Sequence, residues 1–313
     1  MPRTSRTASA IIVTLAALIA LPAAAAERRV CVDLGWKVRE RTGAQVAIPK
    51  RLLHGLLKDA ARTDCPGILR DLLARGASLK VRDGRGRQIL GVAARAGSRR
   101  VIPVLIEAGA DLEHRDLVGN TPLIDAAKAD ARRVVAALLA AGADPQAADD
   151  HGVTPLMAAA YNGNLRMLRA LMKAGARVDA RDSDGKTALA YAAARGFGPV
   201  VAALLDAGAD PAERLGHDLT PLMWAAGHSN DAPPREAIAV AQMLLERGAT
   251  LDPRDDRGRD ALMIAAARGN AEMVRFLLDQ GADPARRDLK GKRALELAAN
   301  AATRQVLEAA GGR

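Results

Sequence analysis

The 313-residue sequence is poor in aromatic residues, which make up only 2% of it although 49% of its residues are hydrophobic. Its apolar content is mostly alanine and leucine, which favours closely packed helices over a β-sandwich built from β-branched and aromatic side chains. Few aromatic rings also leave little for stacking on bases. The net charge of +10 comes from thirty-seven arginines and only nine lysines, and charge alone does not make this chain a nucleic-acid binder.

The sequence also lacks the short motifs that carry common chemistries. It contains no Cys-x-x-Cys, His-Glu-x-x-His, Gly-x-Ser-x-Gly or phosphate-binding loop. Its aspartates fall mostly at recurring turn positions. These absences predict a protein that is not an enzyme, with no catalytic residue, no cofactor and no small-molecule substrate.

The N-terminus has the features of a secretory signal peptide, residues 1–26. Two arginines precede an apolar stretch, residues 10–21, and small residues at the end of the segment predict cleavage between Ala26 and Glu27. The alternative is an uncleaved anchor, because residues 8–26 carry no charge and are long enough to span a bilayer. Export to the periplasm is the favoured interpretation.

The only two cysteines, Cys31 and Cys65, follow this segment. In an oxidising compartment a lone pair most simply forms one disulfide, here closing a loop of about 35 residues. If the chain stays in a reducing compartment, both are inert thiols instead.

What the sequence has in abundance is an internal repeat. The dipeptide Gly-Ala recurs every 33 residues, with one interval of 40, at positions 76, 109, 142, 175, 208, 248 and 281. Related phrases keep the same register, among them GNTPLIDAA at 119–127, GVTPLMAAA at 152–160 and GRDALMIAA at 258–266. A regular period of this length indicates a solenoid of stacked units.

The unit D-x-x-G-x-T-P-L, then two alanines, then Leu-Leu-x-x-Gly-Ala-Asp resembles the ankyrin repeat. The resemblance covers residues 49–313 and implies an all-α solenoid of helix pairs joined by β-turn finger loops. It divides the chain into a capping segment, a degenerate capping repeat, six full repeats and a C-terminal capping repeat, at residues 27–48, 49–81, 82–286 and 287–313. A Cys31–Cys65 bond would hold the capping segment over the first face of the array.

Each unit also makes physical sense without the family name. Threonine can cap the first helix and proline suits its first position. The second helix carries an apolar stripe, Val134, Val135, Leu138 and Leu139 in one repeat, and Gly142 supplies the left-handed residue that ends it.

Three departures from the repeat carry expectations of their own. Asp218 replaces a turn glycine, and aspartate tolerates left-handed backbone angles. Pro103 lies inside a predicted helix and should kink it or shift its start. The fifth repeat has seven extra residues near 229–235, where Pro233 and Pro234 predict a surface loop. This insertion is either neutral or a binding loop.

The resemblance implies that partners contact the finger tips and the inward faces of the first helices. Transferred by position, the candidate tip residues include Arg85, Arg87, His151, Lys186, His217, Arg257 and Arg259. His151 and His217 occupy one turn position two repeats apart, roughly 16–20 Å, which is too far to share a metal.

The residue before each turn is arginine in six units, with Ala148 as the exception. These arginines, predicted to form a basic stripe along one edge, are Arg82, Arg115, Arg181, Arg214, Arg254 and Arg287. The stripe is either an ordinary solvated ladder or a surface that attracts an acidic partner.

Aromatic residues refine the predicted interface. Tyr161, His228 and the 229–235 insertion form the centre of the proposed surface, whereas Tyr191 and Trp224 hold a position that is usually packed between helices. The sequence as a whole predicts a monomeric, non-enzymatic scaffold in the cell envelope that binds a protein partner, possibly acidic, and no nucleic acid. A membrane-anchored or cytosolic adaptor is the alternative.

Overall fold

The computed structural model describes residues 31–33, 49–227 and 234–311. The predicted signal peptide and most of the capping segment lie outside the described residues. Residues 31–33 are helical, and residues 49–227 and 234–311 form sixteen α-helices and one short 3₁₀ helix, with no strand among the described residues. The α-helices are α1 (Lys50–Arg62), α2 (Pro66–Ala74), α3 (Ile89–Ala96), α4 (Val101–Glu107), α5 (Pro122–Lys128), α6 (Arg132–Ala140), α7 (Pro155–Tyr161), α8 (Leu165–Lys173), α9 (Ala188–Ala194), α10 (Gly198–Asp206), α11 (Pro221–Ala226), α12 (Pro234–Glu246), α13 (Ala261–Arg268), α14 (Ala271–Asp279), α15 (Ala294–Leu297) and α16 (Ala301–Gly311).

The helices pack in two layers, as an all-α solenoid requires. Odd-numbered helices stack on one another in sequence to form one layer, and even-numbered helices form the other. The paired alanines Ala126 and Ala127 of α5 are fully buried, so neighbouring helices approach closely there. Val134, Val135 and Leu138 of α6 are buried, whereas Leu139 is half-buried. The core is therefore one continuous slab between the layers.

Local sequence signals begin and end the helices where the repeat predicts. Thr121 and Thr154 each accept a hydrogen bond from the backbone N–H three residues later, and a proline occupies the first helical position after each. Gly142 follows α6 with φ of +92°. A residue with a Cβ is strained at that angle, which is why glycine recurs there.

Pro103 shifts the start of its helix, one of the two predicted outcomes. Helix α4 begins at Val101, whereas the corresponding helix one repeat later begins at Arg132, which is equivalent to Arg99. The later start places Pro103 in the first turn, where a backbone N–H has no helical partner to lose.

The fifth repeat differs from its predicted form in part. Residues 228–233 lie outside the described residues, but Pro234 and Arg235 are the first two residues of α12 rather than loop. Proline is tolerated at the first helical position, so Pro234 starts this helix instead of interrupting one. At thirteen residues α12 is four residues longer than the nine-residue helices at the same place in other repeats, such as α10, so part of the insertion is helical.

A disulfide joins Cys31 to Cys65, with the two Cα atoms 5.6 Å apart. Cys65 is buried in the turn between α1 and α2, and it is the N-cap residue of α2. The covalent link therefore attaches the segment that precedes the array to its first helix pair.

Candidate partner-binding surface

The finger turns between repeats are held by aspartates. In six of these turns the aspartate Oδ1 accepts backbone N–H groups two and four residues later, at 2.8–3.1 Å. The six are Asp83, Asp116, Asp149, Asp182, Asp255 and Asp288. Such closed turns present their tips in one conformation, which reduces the ordering that binding would require.

The turn of the fifth repeat is the exception. Leu215 replaces the aspartate, and the turn forms a 3₁₀ helix in which His217 and Asp218 have φ of +60° and +58°. Asp218 thus adopts the left-handed conformation expected where it replaces glycine. His217 is exposed, and its Nδ1 lies 2.8 Å from Oδ2 of Asp256 on the next turn. His151 is exposed on a different turn.

The arginines before the turns form a hydrogen-bonded ladder. In four of them Nη1 donates to the backbone carbonyl of the equivalent residue in the next repeat, at 2.8, 2.9, 3.1 and 3.4 Å. These bonds run from Arg115 to Ala148, Arg181 to Arg214, Arg214 to Arg254 and Arg254 to Arg287. The side chains of Arg115, Arg181 and Arg214 remain about half-exposed, at 46–54%. The stripe consequently links repeats. Three of its arginines are also ion-paired, Arg115 with Asp150 at 3.1 Å, Arg181 with Glu213 at 3.3 Å and Arg214 with Asp218 at 3.9 Å.

The other candidate arginines and the lysine at the tips differ in how free they are. Arg87 is paired with Asp83 at 2.7 Å and is only 12% exposed. Arg259 is half-buried beside Asp288, whereas Arg257 is exposed and paired with Asp255. Lys186 is paired with Asp184 at 2.8 Å. Arg82 and Arg85 are exposed, and no residue that the structure describes forms an ion pair with either of them.

An aromatic cluster lies on the odd-numbered helices near the middle of the array. Tyr161, 49% exposed, meets Tyr191 edge-on with ring centroids 6.1 Å apart. The Arg195 guanidinium lies 5.0 Å from the Tyr161 ring, and the Lys186 ammonium lies 5.4 Å from the Trp224 ring. Cation–π contacts of this kind restrict the rings, and about half of Tyr161 remains exposed.

Tyr191 and Trp224 are half-buried against the core, as their repeat position suggested. The Tyr191 hydroxyl donates to Oδ2 of Asp182 at 2.6 Å, and burial together with this bond raises the pKa of Tyr191. His228 and residues 229–233 of the proposed centre lie outside the described residues. The described part of that centre is therefore Tyr161 together with Pro234 and Arg235 at the start of α12.

One polar residue of this surface was not predicted. Asp125 in α5 is 4% exposed, and its Oδ2 is buried without a hydrogen-bond partner. Burial raises the pKa of Asp125 from its ordinary value of 3.8 to about 6. The signal is visible only when equivalent positions are compared, because Val92, Ala158 and Ile264 stand where α5 has an acid.

The described residues contain no group of three or more histidines, cysteines or acidic residues placed to hold a metal ion. In the part of the chain that the structure covers, no helix is both long enough and apolar enough to cross a bilayer.

The repeat has a counterpart among known families. A family model described as ankyrin repeats (3 copies) matches residues 57–149, 146–214 and 222–309, most of the chain. A search of curated proteins gave no significant match.

Proposed function

The chain belongs to the ankyrin repeat family, and on that premise we propose that it is a non-enzymatic scaffold that binds a partner protein through its concave face and finger turns. The observation that carries the proposal is the combination of turns closed by their aspartates with an open, half-exposed row of arginines. A rigid extended surface suits recognition of another macromolecule.

The charge of the edge supports an acidic partner. Four arginines in the ladder keep their guanidinium groups at fixed places while remaining in contact with solvent, three of them beside a paired carboxylate. Arg82 and Arg85 add two charges that have no ion-pair partner among the described residues. Complementary charge accelerates encounter and orients the partner, and its effect weakens as salt is raised.

The aromatic cluster supports a central anchor. Tyrosine and tryptophan contribute strongly to protein interfaces because they bury a large area with few rotatable bonds. Tyr161 is about half-exposed, with the Arg195 guanidinium over its ring and Tyr191 against its edge. An apolar residue of the partner would pack on Tyr161 while its acidic neighbours meet the basic edge.

Export to the periplasm is part of the proposal. The signal-peptide pattern of residues 1–26 supports it, and so does a disulfide between the only two cysteines, since such bonds persist in oxidising compartments. Intact-mass spectrometry of the purified protein tests this part. A mass lacking residues 1–26, and falling a further 2 Da short of the reduced form, agrees with it, whereas a retained N-terminus indicates the anchored or cytosolic adaptor.

Affinity capture from the periplasmic fraction tests the scaffold. Arg82, Arg115, Arg181 and Arg254 are changed together to glutamate, and the captured proteins are compared with those of the wild type. In the matched control, four exposed arginines on the even-numbered helices are changed to glutamate: Arg132, Arg133, Arg166 and Arg169. We expect the edge variant alone to lose its partner. Equal capture by both variants would remove the basic edge from the proposal.

A further inference from the structure

The unpartnered carboxyl of Asp125 lies in a cleft between the first two finger turns. The cleft has a volume of about 440 Å³, and its lining includes Arg85, Arg95, Leu117 and Val118 as well as Asp125. A buried carboxyl without a hydrogen bond destabilises a fold, because the group loses its hydration and gains nothing in return. In most repeats the equivalent position is apolar or aromatic, so the fold itself does not need an acid here.

On the side that faces α3, Asp125 lies next to a glycine. Gly91 stands where later repeats have Ile124, Met157, Met223 and Met263, and a Cβ at Gly91 would lie 3.5 Å from Oδ2 of Asp125. The chain thus places its smallest residue next to Asp125, whereas the other acid at this repeat position, Asp59 of α1, is exposed.

Some of the charges in the cleft are already satisfied. Arg87 is paired with Asp83, and Lys128 bonds both Asn120 and Asp149, at 2.7 and 2.6 Å. Asp116 also lines the cleft, and it accepts two backbone N–H groups and the Asn120 amide. None of these groups lacks a partner.

Two cations in the cleft are unsatisfied. Arg85 and Arg95 are exposed, and among the described residues their guanidinium groups have neither an ion-pair partner nor a hydrogen bond. Leu117 and Val118 at the rim are large exposed apolar residues, 71% and 49% exposed. The groups that a ligand could contact in the cleft are therefore two guanidinium groups, one buried carboxyl and an apolar rim.

We propose that this cleft binds a carboxylate that lies beside an apolar side chain on the partner, with Arg85 and Arg95 pairing with the carboxylate and Asp125 donating a hydrogen bond to it. The inference rests on the proposed function and names the chemistry that the partner supplies. Guanidinium groups pair well with carboxylates because their N–H groups match the two oxygens. Leu117 and Val118 would contact the neighbouring apolar side chain.

The protonation state of Asp125 agrees with this assignment. Its pKa is raised to about 6, because burial, the largest cause, and the nearby Asp116 raise it by more than Arg87, Arg95 and Lys128 lower it. Two further helices pack against α5: α7 has no charged residue, and Arg132 and Arg133 of α6 are exposed. A neutral carboxyl at mildly acidic pH has an O–H to donate, and a bound carboxylate accepts it.

The test is an NMR titration of the full chain with the capped dipeptide Ac-Leu-Glu-NH₂, using Ac-Leu-Gln-NH₂ and Ac-Leu-Lys-NH₂ as matched probes. We expect the glutamate peptide to shift the amide signals of Leu117 and Val118, with affinity at least tenfold higher than that of the glutamine peptide. Only the protonated form of Asp125 donates a hydrogen bond, and the protonated fraction of a group with a pKa of about 6 falls about 30-fold between pH 5.0 and pH 7.5. The affinity for the glutamate peptide should therefore fall by the same factor.

Variants separate the roles in the cleft. Arg95→Gln should weaken binding about tenfold, and Arg169→Gln on α8, outside the cleft, should not change it. Asp125→Asn keeps a donor, so it should retain binding and abolish the pH dependence. If the lysine peptide binds instead and Asp125→Asn abolishes its binding, the cleft is a cation site and the proposal is wrong.

Absence of shifts with all three peptides also overturns the inference, whatever the capture experiment gives. Conversely, peptide binding at the cleft together with unchanged capture by the edge variant would retain the carboxylate site and remove the basic edge. The two proposals can therefore fail separately.

Discussion

The Asp125→Asn variant should be more stable than the wild type, by an amount that grows with pH. In the folded chain burial holds the pKa of Asp125 at about 6, against an ordinary value of 3.8 that represents the unfolded chain. The folded state therefore binds this proton more tightly than the unfolded state. By linkage, stability falls as pH rises from about 4 to about 6, and it stays lower above that range.

The size of the effect follows from the difference between the two pKa values. A difference from 3.8 to about 6 corresponds to about 3 kcal/mol when the group is fully ionised, and about 2 kcal/mol of this develops between pH 4 and pH 7. Asparagine has a similar shape and does not ionise. The free energy of unfolding of the variant relative to the wild type should therefore rise by about 2 kcal/mol across the same range.

Urea unfolding followed by circular dichroism at pH 4, 5, 6 and 7, at constant ionic strength, measures this difference. Other shifted groups, such as Glu213 and Asp260, are present in both proteins and cancel. Asp125→Ala serves as a second variant because it also removes the charge. Its free energy of unfolding relative to the wild type should rise with pH by the same amount, although the value at pH 4 will differ. A difference that is constant with pH for both variants would show that Asp125 is not a buried acid with a raised pKa.

Three further predictions concern stability and are measured by urea unfolding. Reducing the Cys31–Cys65 disulfide, whose cysteines are 34 positions apart, should lower the free energy of unfolding by about 4 kcal/mol, and a double serine variant should be insensitive to reductant. Lys128→Met leaves the buried carboxylate of Asp149 without its ammonium partner, so we expect a loss of about 3 kcal/mol, most of it recovered when Asp149→Asn is added. Ala148→Arg places a donor at the gap in the arginine ladder, beside a cleft of about 550 Å³, and should add about 0.5–1 kcal/mol; an unchanged midpoint would mean that the ladder bonds do not stabilise stacking.

Sequence reasoning located the helices well because the repeat signals are local. A capping threonine, a proline in the first turn and a left-handed glycine act within a few residues of their own helix, as at Thr121, Pro122 and Gly142. The same local logic placed Pro103 at a shifted helix start. The loop prediction was wrong at Pro234, which is the first residue of a helix.

The candidate partner-binding surface was harder to predict because it depends on where long side chains turn. Arg85 and Arg87 are equivalent in sequence as tip residues, yet only Arg87 folds back onto Asp83. The sequence also gave no means of knowing that Arg181 reaches a carbonyl in the next repeat. Asp125 was missed since an aspartate in a helix is ordinary by itself, and only its apolar counterparts make it unusual.

The fixed spacing of the arginine ladder constrains the spacing of acidic groups on the partner, which freely moving surface arginines would not do. Because each guanidinium bonds the equivalent carbonyl of the next repeat, the charges are spaced by helix stacking, at about 8–10 Å. An extended chain advances about 3.3 Å per residue, so carboxylates at every third residue would match this spacing. The missing donor at Ala148 doubles the interval between Arg115 and Arg181. A partner that binds this edge should therefore tolerate a neutral residue opposite Ala148 and opposite no other position of the ladder.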